Sequence, residues 1–476
     1  MRAWKKIMKN NYDAVVIGAG PAGMACGSEL ADKGLDVAVL DEQAGPGGQI
    51  YRNITGSSSA QRQILGEDYR EGLDLTQKFE NASLDYLPQS RVWQAADNGD
   101  VCFSRAGSSR KINAPNLVLC TGAMERPVPF PGWTLPGVMT CGGMSNLYKD
   151  SGLVPSKPVL IAGSGPFLWL VAEHLLALDA PITAILDTAP MKQVIPAMKH
   201  VAGAVKRIDF MMKGVKLISD VYLTARKKKV PVYRNVRDLR ALGQKKLDQV
   251  NAVSGSKQLS FQVETLLVSE GIIPNTSLFR QVGCRHQWDP IQRYYHPALL
   301  KEGQTNFSSV YVAGDGGFVH GAKAAEYKGR ITALHIAKEM RRLSKAEYRQ
   351  QVGPVWKMLT RDLVPRPFID AMYAPRKDLF SLEDKTIICR CEGITAGRVR
   401  ELVRDGLRDH NEIKAIIRCG MGPCQGRMCS AAVLELISEG SGLDPAEIRQ
   451  HRLRPPIKPV SLQELANADL GGYDEN

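Results

Sequence analysis

The sequence predicts an α/β fold of two nucleotide-binding units, the second inserted into the first, followed by a small cysteine-rich module. Two strand–glycine turn–helix–strand patterns stand in tandem, at 12–42 and 158–187, and a later apolar strand ends in Gly314-Asp315. Two close pairs of cysteines lie near the C-terminus. A chain of 476 residues is too long for one simple core, and its 44% apolar content is typical of globular proteins.

The first glycine-rich turn directly follows an apolar strand and begins a helix; its residues are Gly18, Gly20, Pro21, Ala22 and Gly23. Gly18 permits the tight turn, Gly20 lets the backbone approach a pyrophosphate, and Gly23 lets helix and strand pack closely. The free N–H groups at the helix N-terminus attract phosphates. Strand, glycines and helix together predict a dinucleotide site, against the alternative of a glycine turn without a ligand.

An acidic pair ends the second strand of this first unit. Asp41 stands eighteen residues after Gly23, where a carboxylate accepts hydrogen bonds from ribose hydroxyls and repels a 2′-phosphate. Glu42 is adjacent and is an alternative or additional acceptor. The sequence therefore predicts an adenosine ribose at this end of the strand.

The second glycine turn departs from the first. Gly163 and Gly165 keep the first two positions, but Leu168 fills the third, where close helix–strand contact normally needs glycine. Asp187 ends the following strand as a ribose-binding acid would. NAD, another adenine nucleotide or a purely structural unit are all left open here.

The cysteine pairs are Cys389-x-Cys391 and Cys424-x4-Cys429. Thiolate sets of this kind hold iron–sulfur clusters, and turn glycines direct N–H groups towards the sulfur. Structural zinc is the competing metal. We interpret Cys419 as a buried thiol, with a role as metal ligand as the less favoured alternative.

The net charge of +13 is partly concentrated between Arg226 and Lys246. A solvated face is the simplest interpretation; an anionic nucleotide, an acidic partner or a membrane surface are alternatives. No nucleic-acid module accompanies the charge, so nucleic-acid binding is not predicted. Lysines 5 and 6 precede apolar residues 14–17 as in a signal peptide, but that stretch runs into the nucleotide motif. We expect a cytoplasmic protein, with association to the inner face of the membrane left open.

Further motifs resemble the two-dinucleotide-domain flavoproteins. They are Gly48-Gln49, Thr121-Gly122 and Gly314-Asp315, added to the first glycine turn. The resemblance implies FAD rather than NAD at the first site. It also implies that Gly48-Gln49 lies near the isoalloxazine ring and that Asp315 accepts a hydrogen bond from the ribityl chain.

The cysteine spacing resembles the bacterioferritin-associated-ferredoxin-like [2Fe-2S] domain, although the second pair is Cys-x4-Cys rather than Cys-x2-Cys. The strings 47–52, 125–138, 389–392 and 420–429 resemble the A-type flavin/[2Fe-2S] subunit of opine oxidases and of proline or D-hydroxyproline dehydrogenases, a family that includes the hydrogen cyanide synthase B subunit. We predict the following division: an FAD-binding Rossmann-like first unit at 11–135 and 291–345, an inserted second dinucleotide-binding-like unit at 136–290, a connector at 346–384, a cysteine module at 385–450, and an extended tail at 451–476.

The resemblance implies an electron-transfer subunit of a multi-subunit dehydrogenase that acts on the CH–NH bond of an amino acid or opine. The substrate amine would react on a partner flavoprotein of the amino-acid-oxidase type, with a small ferredoxin-like subunit in some complexes and a quinone or carrier as final acceptor. No catalytic residue is predicted in this chain. The alternatives are a self-contained NAD(P)H-dependent reductase and a non-enzymatic iron–sulfur carrier.

Overall fold

The computed structural model describes residues 9–470, so the lysines at 5 and 6 and the last six residues of the predicted tail lie outside the described residues. The strands of the N-terminal part are Ala14–Ile17 (β1), Val37–Leu40 (β2), Asp85–Leu87 (β3), Arg91–Ala95 (β4), Asp100–Arg105 (β5), Ser108–Asn113 (β6), Asn116–Leu119 (β7) and Ala123–Glu125 (β8). Its helices are Pro21–Asp32 (α1), Ser59–Leu65 (α2), Glu67–Arg70 (α3) and Gly72–Asn81 (α4).

The middle of the chain continues with strands Val138–Thr140 (β9), Val159–Ser164 (β10), Ile182–Asp187 (β11), Val232–Tyr233 (β12), Val236–Leu242 (β13), Gln249–Ser254 (β14), Lys257–Gln262 (β15), Thr265–Glu270 (β16) and Ile272–Pro274 (β17). The helices of this part are Cys141–Ser151 (α5), Pro166–Ala177 (α6), Val194–Met198 (α7), Val201–Lys206 (α8) and Ile208–Lys227 (α9).

The C-terminal part contains strands His286–Asp289 (β18), Tyr294–Pro297 (β19), Val310–Val312 (β20), Ile387–Cys389 (β21) and Ile394–Thr395 (β22). Its helices are Ser277–Val282 (α10), Ala322–Glu339 (α11), Lys345–Leu363 (α12), Arg366–Met372 (α13), Ala396–Arg404 (α14), His410–Ile417 (α15), Ser430–Ser441 (α16) and Leu462–Ala466 (α17).

Two five-stranded parallel sheets form the nucleotide-binding units. The first has the order β20-β7-β1-β2-β3, and the second has the order β12-β11-β10-β16-β9. Along the chain, β20 of the first sheet follows all the strands of the second sheet. The second unit is therefore inserted into the first. The predicted α/β class with an inserted Rossmann-like unit is confirmed, while the residue limits of the units stay predictions.

The apolar strands β1, β2 and β7 are buried along their whole length, as expected for a parallel sheet covered on both faces. Helices α1 and α11 pack against each other on this sheet. A methyl group added at Gly329 of α11 would overlap the carbonyl oxygen of Ala22 in α1. The two helices therefore approach through bare backbone, which only glycine allows at this position.

The cysteine module has its own core around the fully buried Ile388, Val399 and Ile437. Trp133, in the segment between β8 and β9, donates its indole N–H to the carbonyl oxygen of Ile387, at 2.6 Å. Arg293 of the β18–β19 hairpin pairs with Glu435 of α16. These contacts hold the module against the first nucleotide-binding unit.

The tail returns across the first unit. Leu453 and Ile457 are buried in its core, and the Ile457 N–H donates to the carbonyl oxygen of Trp93 at 2.9 Å. The sequence predicts an extended tail; the structure adds one short helix, α17, whose Glu464 pairs with Arg91. Within residues 9–470, no helix combines the length and the apolar character that a membrane crossing requires.

The contact at Gly329 can be tested by stability. We expect Gly329→Ala to lower the free energy of unfolding by about 1–3 kcal/mol, because the new methyl group forces α1 and α11 apart. Gly353→Ala in α12 is the matched control, since no atom lies within 4 Å of its added methyl group. That variant should gain up to about 1 kcal/mol from helix propensity. Chemical denaturation measures both, and equal effects of the two variants would contradict the packing argument.

Candidate functional site

The first glycine turn has the geometry that its sequence predicts. Methyl groups added at Gly18 and Gly23 would overlap the carbonyl oxygens of Cys120 and Gly18, respectively. Gly18 has φ +106°, a conformation that favours glycine. The first glycine therefore makes the turn beside β7, and the third lets α1 lie against it.

The loop that carries Gly48 and Gln49 closes over the start of α1. A methyl group on Gly48 would lie 2.8 Å from the Cα atom of Gly20. A methyl group added at Gly122 or Gly321, by contrast, would have no described atom within 4 Å. Both of these glycines have positive φ. These bare, open backbone positions around the α1 N-terminus form a cradle that fits an extended dinucleotide such as FAD.

Asp41 and Glu42 differ in environment. The Asp41 carboxylate is buried and accepts hydrogen bonds from the N–H groups of Ala19, at 2.5 Å, and Gln43, at 2.7 Å. Burial raises its pKa, and the two backbone donors partly offset this. Glu42 is exposed and pairs with Lys458 of the tail. The structure thus places Asp41, rather than Glu42, beside the glycine turn.

The Gly314-Asp315 turn reaches the same place from β20. A methyl group on Gly314 would lie 2.7 Å from the Cβ atom of Ala22. The Asp315 carboxylate accepts hydrogen bonds from the N–H groups of His320 and Gly321, which orient it at the start of α11. Thr121 donates its hydroxyl to the carbonyl oxygen of Asn275 at 2.9 Å.

Helix α5 of the second unit holds the Gly48-Gln49 loop, which the motifs did not indicate. The ammonium group of Lys149 donates to the carbonyl oxygens of Gln49 and Ile50, each at 3.0 Å, and Asn146 donates to the Gln49 side chain at 2.7 Å. Burial lowers the pKa of Lys149 to about 8. The sequence signal was a lysine four and eight residues after Ser145 and Cys141, on one buried stripe of the helix where an apolar residue is expected.

Five cysteines meet at the centre of the cysteine module. The sulfur atoms of Cys389, Cys419 and Cys429 all lie within 4.8 Å of one another, and all three residues are buried. Cys391 is exposed and Cys424 is half-buried; the Cys424 N–H and thiol both interact with the Cys391 sulfur. Cys419 is buried as expected, but it lies inside the sulfur cluster rather than apart from it.

Glycine lets these turns converge. A methyl group on Gly422 would overlap the Cβ atom of Cys391, so the 420–424 turn closes over Cys391 only with glycine at this position. Hydrogen bonds from the neighbouring thiols of Cys419 and Cys429 lower the pKa of Cys389. A lowered pKa favours the thiolate, the form that binds iron or zinc. The predicted ligands Cys389, Cys391, Cys424 and Cys429 are of the donor type that a metal cluster needs, while the close sulfur group among the described residues joins Cys389 and Cys429 with Cys419.

Helix α10 connects the two sites. Two residues before the helix begins, the Asn275 N–H donates to the carbonyl oxygen of Gly122 at 3.0 Å. Gly122 belongs to the Thr121-Gly122 turn, called the flavin turn below after the cofactor that the resemblance implies. In the last turn of α10, Arg280 interacts electrostatically with Cys429, while burial lowers the pKa of Arg280 to about 10. A helix of six residues is about 9 Å long. The flavin turn and the cysteine cluster are thus neighbours across one short helix.

The second glycine turn is less suited to a dinucleotide. Leu168 is fully buried in the core under α6. Asp187 accepts a hydrogen bond from the N–H of Ala189, and burial raises its pKa. Glu270, at the end of β16, accepts a hydrogen bond from the Thr188 hydroxyl, and burial raises its pKa as well. Two partly buried carboxyl groups at this edge of the sheet oppose the binding of a diphosphate.

The connector also occupies this edge. Tyr373 lies close enough to Asp187 to interact with it electrostatically, and Arg376 interacts in the same way with Glu270. Gln193 donates a hydrogen bond to the carbonyl oxygen of Ala374. The strand ends where a second nucleotide would bind are therefore covered by the connector.

Comparison with known proteins agrees with both sites. The family model described as pyridine nucleotide-disulphide oxidoreductase matches residues 12–340, and the BFD-like [2Fe-2S] binding domain matches residues 387–439. The A subunit of opine oxidase from Rhizobium meliloti is 37% identical over 96% of this chain and 88% of its own length. Hydrogen cyanide synthase subunit HcnB of Pseudomonas aeruginosa is 28% identical over 96% of this chain and 99% of its own length.

Among solved structures, L-proline dehydrogenase from P. horikoshii superposes with a TM-score of 0.68 at 20% identity, covering 97% of this chain and 81% of that one. At that identity the likeness concerns the fold. The cofactors of this chain are FAD and a [2Fe-2S] cluster, because the two matching families imply these groups and the cradle and cysteines fit them.

The role of Lys149 can be measured through FAD retention. Lys149→Met keeps the length of the side chain but leaves the carbonyl oxygens of Gln49 and Ile50 without their donor. We expect a loss of about 2 kcal/mol in stability and weaker FAD binding by roughly tenfold. FAD titration of the apoprotein and denaturation measure these effects. Lys157→Met, at an exposed position, is the control and should change neither.

Serine variants of the five cysteines separate ligands from neighbours. Each of the variants Cys389→Ser, Cys391→Ser, Cys424→Ser and Cys429→Ser should lose most of the bound iron and acid-labile sulfide. Cys419→Ser should retain the iron. Because a serine hydroxyl is a stronger hydrogen-bond donor to Cys389 than the thiol that it replaces, we expect a higher reduction potential of the cluster. Iron analysis and EPR-monitored titration provide the measurements. Loss of iron in Cys419→Ser, with retention in Cys391→Ser, would instead assign Cys419 as a ligand.

Proposed function

The chain belongs to the pyridine nucleotide-disulphide oxidoreductase family and, over nearly its whole length, to the family of the opine oxidase A subunits, and we propose that it is the electron-transfer subunit of a multi-subunit dehydrogenase. Such a dehydrogenase oxidises the CH–NH bond of an amino acid or opine, of the proline, hydroxyproline or octopine type. The chain itself is an FAD-dependent oxidoreductase that also carries a [2Fe-2S] cluster.

One observation carries this proposal: the segment 275–282, which includes α10, hydrogen-bonds to Gly122 at its first residue and interacts electrostatically with Cys429 through Arg280. When bound, FAD exchanges electrons in pairs and a [2Fe-2S] cluster exchanges them singly. The short separation across α10 suits electron transfer between the two groups.

The protein's contribution is to hold and tune these groups. Asp41 and the α1 N-terminus are proposed to bind the adenosine ribose and the pyrophosphate, and Asp315 the ribityl chain. Lys149 fixes the Gln49 loop from the second unit. Cys389, Cys391, Cys424 and Cys429 are the proposed cluster ligands, with Cys419 as a hydrogen-bond donor beside them.

The substrate reaction is assigned to a partner. The relatives are subunits by name, of opine oxidase, hydrogen cyanide synthase and sarcosine oxidase, which supports a hetero-oligomer. We propose an amino-acid-oxidase-like flavoprotein as the partner, with a small ferredoxin-like subunit in addition in some complexes. A quinone or a diffusible carrier would take the electrons onward. Cytoplasmic location, with contact to the inner face of the membrane, belongs to the same proposal.

Reconstitution tests the division of labour. The chain alone should show negligible dye reduction with proline, hydroxyproline or opines, because its sites hold cofactors rather than substrate. The complex with its partner should turn over, and Cys391→Ser in the complex should lower electron transfer to the dye at least about tenfold. Full turnover by the isolated chain would contradict the proposed partner.

Addition of NADH or NADPH in the same experiment tests the alternative that the chain is a self-contained reductase. Glu270 and the connector cover the second nucleotide edge, so anaerobic NADH or NADPH should leave the flavin absorbance unchanged. Rapid bleaching would favour the reductase alternative instead. Protein that retains iron but no flavin after gentle purification would favour the iron–sulfur carrier.

A further inference from the structure

A cavity of about 90 Å³ lies between the first unit and the cysteine module. Basic side chains line it from both sides; they are Arg126, Arg280, Arg293, Arg427, His410 and His451. The lining contains a single carboxylate, that of Glu435. Such a concentration of arginines around one cavity is uncommon, because taking a charge out of water without a counter-charge is costly.

The charges of the cavity do not balance within the chain. Glu435 is engaged by Arg293, through two hydrogen bonds. Arg126 is only 4% exposed, and its terminal N–H groups donate to the carbonyl oxygens of Arg293 and Gln292, which are neutral. Within residues 9–470, no carboxylate pairs with Arg126, Arg280 or Arg427. These three guanidinium groups therefore have no carboxylate in ion-pair contact among the described residues; only longer-range interactions reach them, from Glu435 and Glu270 to Arg126 and from Cys429 to Arg280.

Two donors remain unused at this site. The Nε–H groups of Arg126 and Arg280 are buried and have no hydrogen-bond partner among the described residues. Burial also lowers the pKa of Arg126 to about 10, as expected for a cation whose desolvation is not compensated. Unpaired buried donors and uncompensated charge both indicate a ligand with negatively charged oxygen atoms.

The cysteines do not supply that charge from within the cavity, because none of the five cysteines of the module lines it. Gly426, Arg427 and Ser430 form the wall between the cavity and the cluster. The cavity therefore lies behind the 424–430 segment and beside α10. It is a separate space, next to the route between the flavin turn and the cluster.

We propose that this cavity binds a small oxyanion, a phosphate or carboxylate group, through the unpaired Nε–H groups of Arg126 and Arg280, with Arg427 as a further lining cation. Planar guanidinium groups donate paired hydrogen bonds to such anions, and histidine rings at 410 and 451 line the same space as further polar partners. The volume corresponds to about three water molecules, which suits one oxyanion group rather than a dinucleotide. The site goes beyond the electron-transfer function and does not depend on the substrate of the complex.

An anion at this position has a consequence for the cluster. Arg280 interacts electrostatically with Cys429, and positive charge near a cluster favours its reduced, more negative form. An oxyanion that neutralises Arg280 removes part of this stabilisation. Binding should therefore lower the reduction potential of the cluster and slow its reduction, so the site would couple electron transfer to the concentration of the anion.

The experiment uses the purified holoprotein and isothermal titration with inorganic phosphate, with acetate as the carboxylate probe, at constant ionic strength in chloride. We expect saturable binding of one anion per chain. Arg280→Gln should weaken it at least about tenfold, because a charge-assisted bidentate contact is lost. Arg418→Gln is the matched control: this arginine is in the same module and pairs with Glu392, but it does not line the cavity.

The outcomes are distinct. Phosphate binding without acetate binding identifies a phosphate-bearing ligand, and the reverse identifies a carboxylate-bearing one. Absence of saturable binding of either probe would overturn the proposal, since the arginines would then serve the cluster alone. Equal weakening by Arg280→Gln and Arg418→Gln would also overturn it, as a general charge effect.

A second variant covers the case in which Arg280→Gln does not fold, and a potentiometric titration tests the coupling to the cluster. Arg427→Gln replaces Arg280→Gln if the latter does not fold, and it should weaken binding by a similar factor. An EPR-monitored potentiometric titration of the wild-type protein should show a lower potential of the cluster in phosphate than in chloride. An unchanged potential at saturating phosphate would remove the proposed coupling, although not the binding site.

Discussion

The structure depends on backbone contacts around the first turn of α1. Gly48 touches Gly20, and Gly314 and Gly329 touch Ala22, so three segments from distant parts of the chain meet one helix turn without intervening side chains. Any side chain at these points would collide with the turn, because the neighbouring atoms are backbone or Cβ atoms that cannot move independently. The cradle for FAD exists because these segments leave open backbone between them.

Buried charge organises the remaining parts of the site. Lys149 is buried where it holds the loop of Gln49, and Glu270 is partly buried at the edge where a second nucleotide would bind. Each charge taken out of water costs desolvation energy, so each is retained where it orients another group or excludes one. The same reasoning leads to the arginine cavity, where Glu435 is the one carboxylate among the lining arginines.

The attachments of the cysteine module also determine how electrons can move. The cysteine module is attached through Trp133, through the Arg293–Glu435 pair and through α10. Three separate attachments hold the cluster at a defined position relative to the flavin turn, and electron transfer depends on such fixed separations. The tail adds a further contact across the surface. Its Lys458 pairs with Glu42, and its Ile457 is buried in the core of the first unit.

The sequence by itself determined the fold class, both cofactors and the family, because glycine turns and cysteine spacings are local patterns with direct chemical meaning. It also indicated the weakness of the second nucleotide site, since Leu168 stands in the local motif. Only the tertiary structure decided the position of Cys419 among the other sulfurs and the hydrogen bonds from Lys149 to the Gln49 loop. It alone also decided the different environments of Asp41 and Glu42, and the arginine cavity. These depend on contacts between residues tens to hundreds of positions apart, whose distances and burial no local pattern encodes.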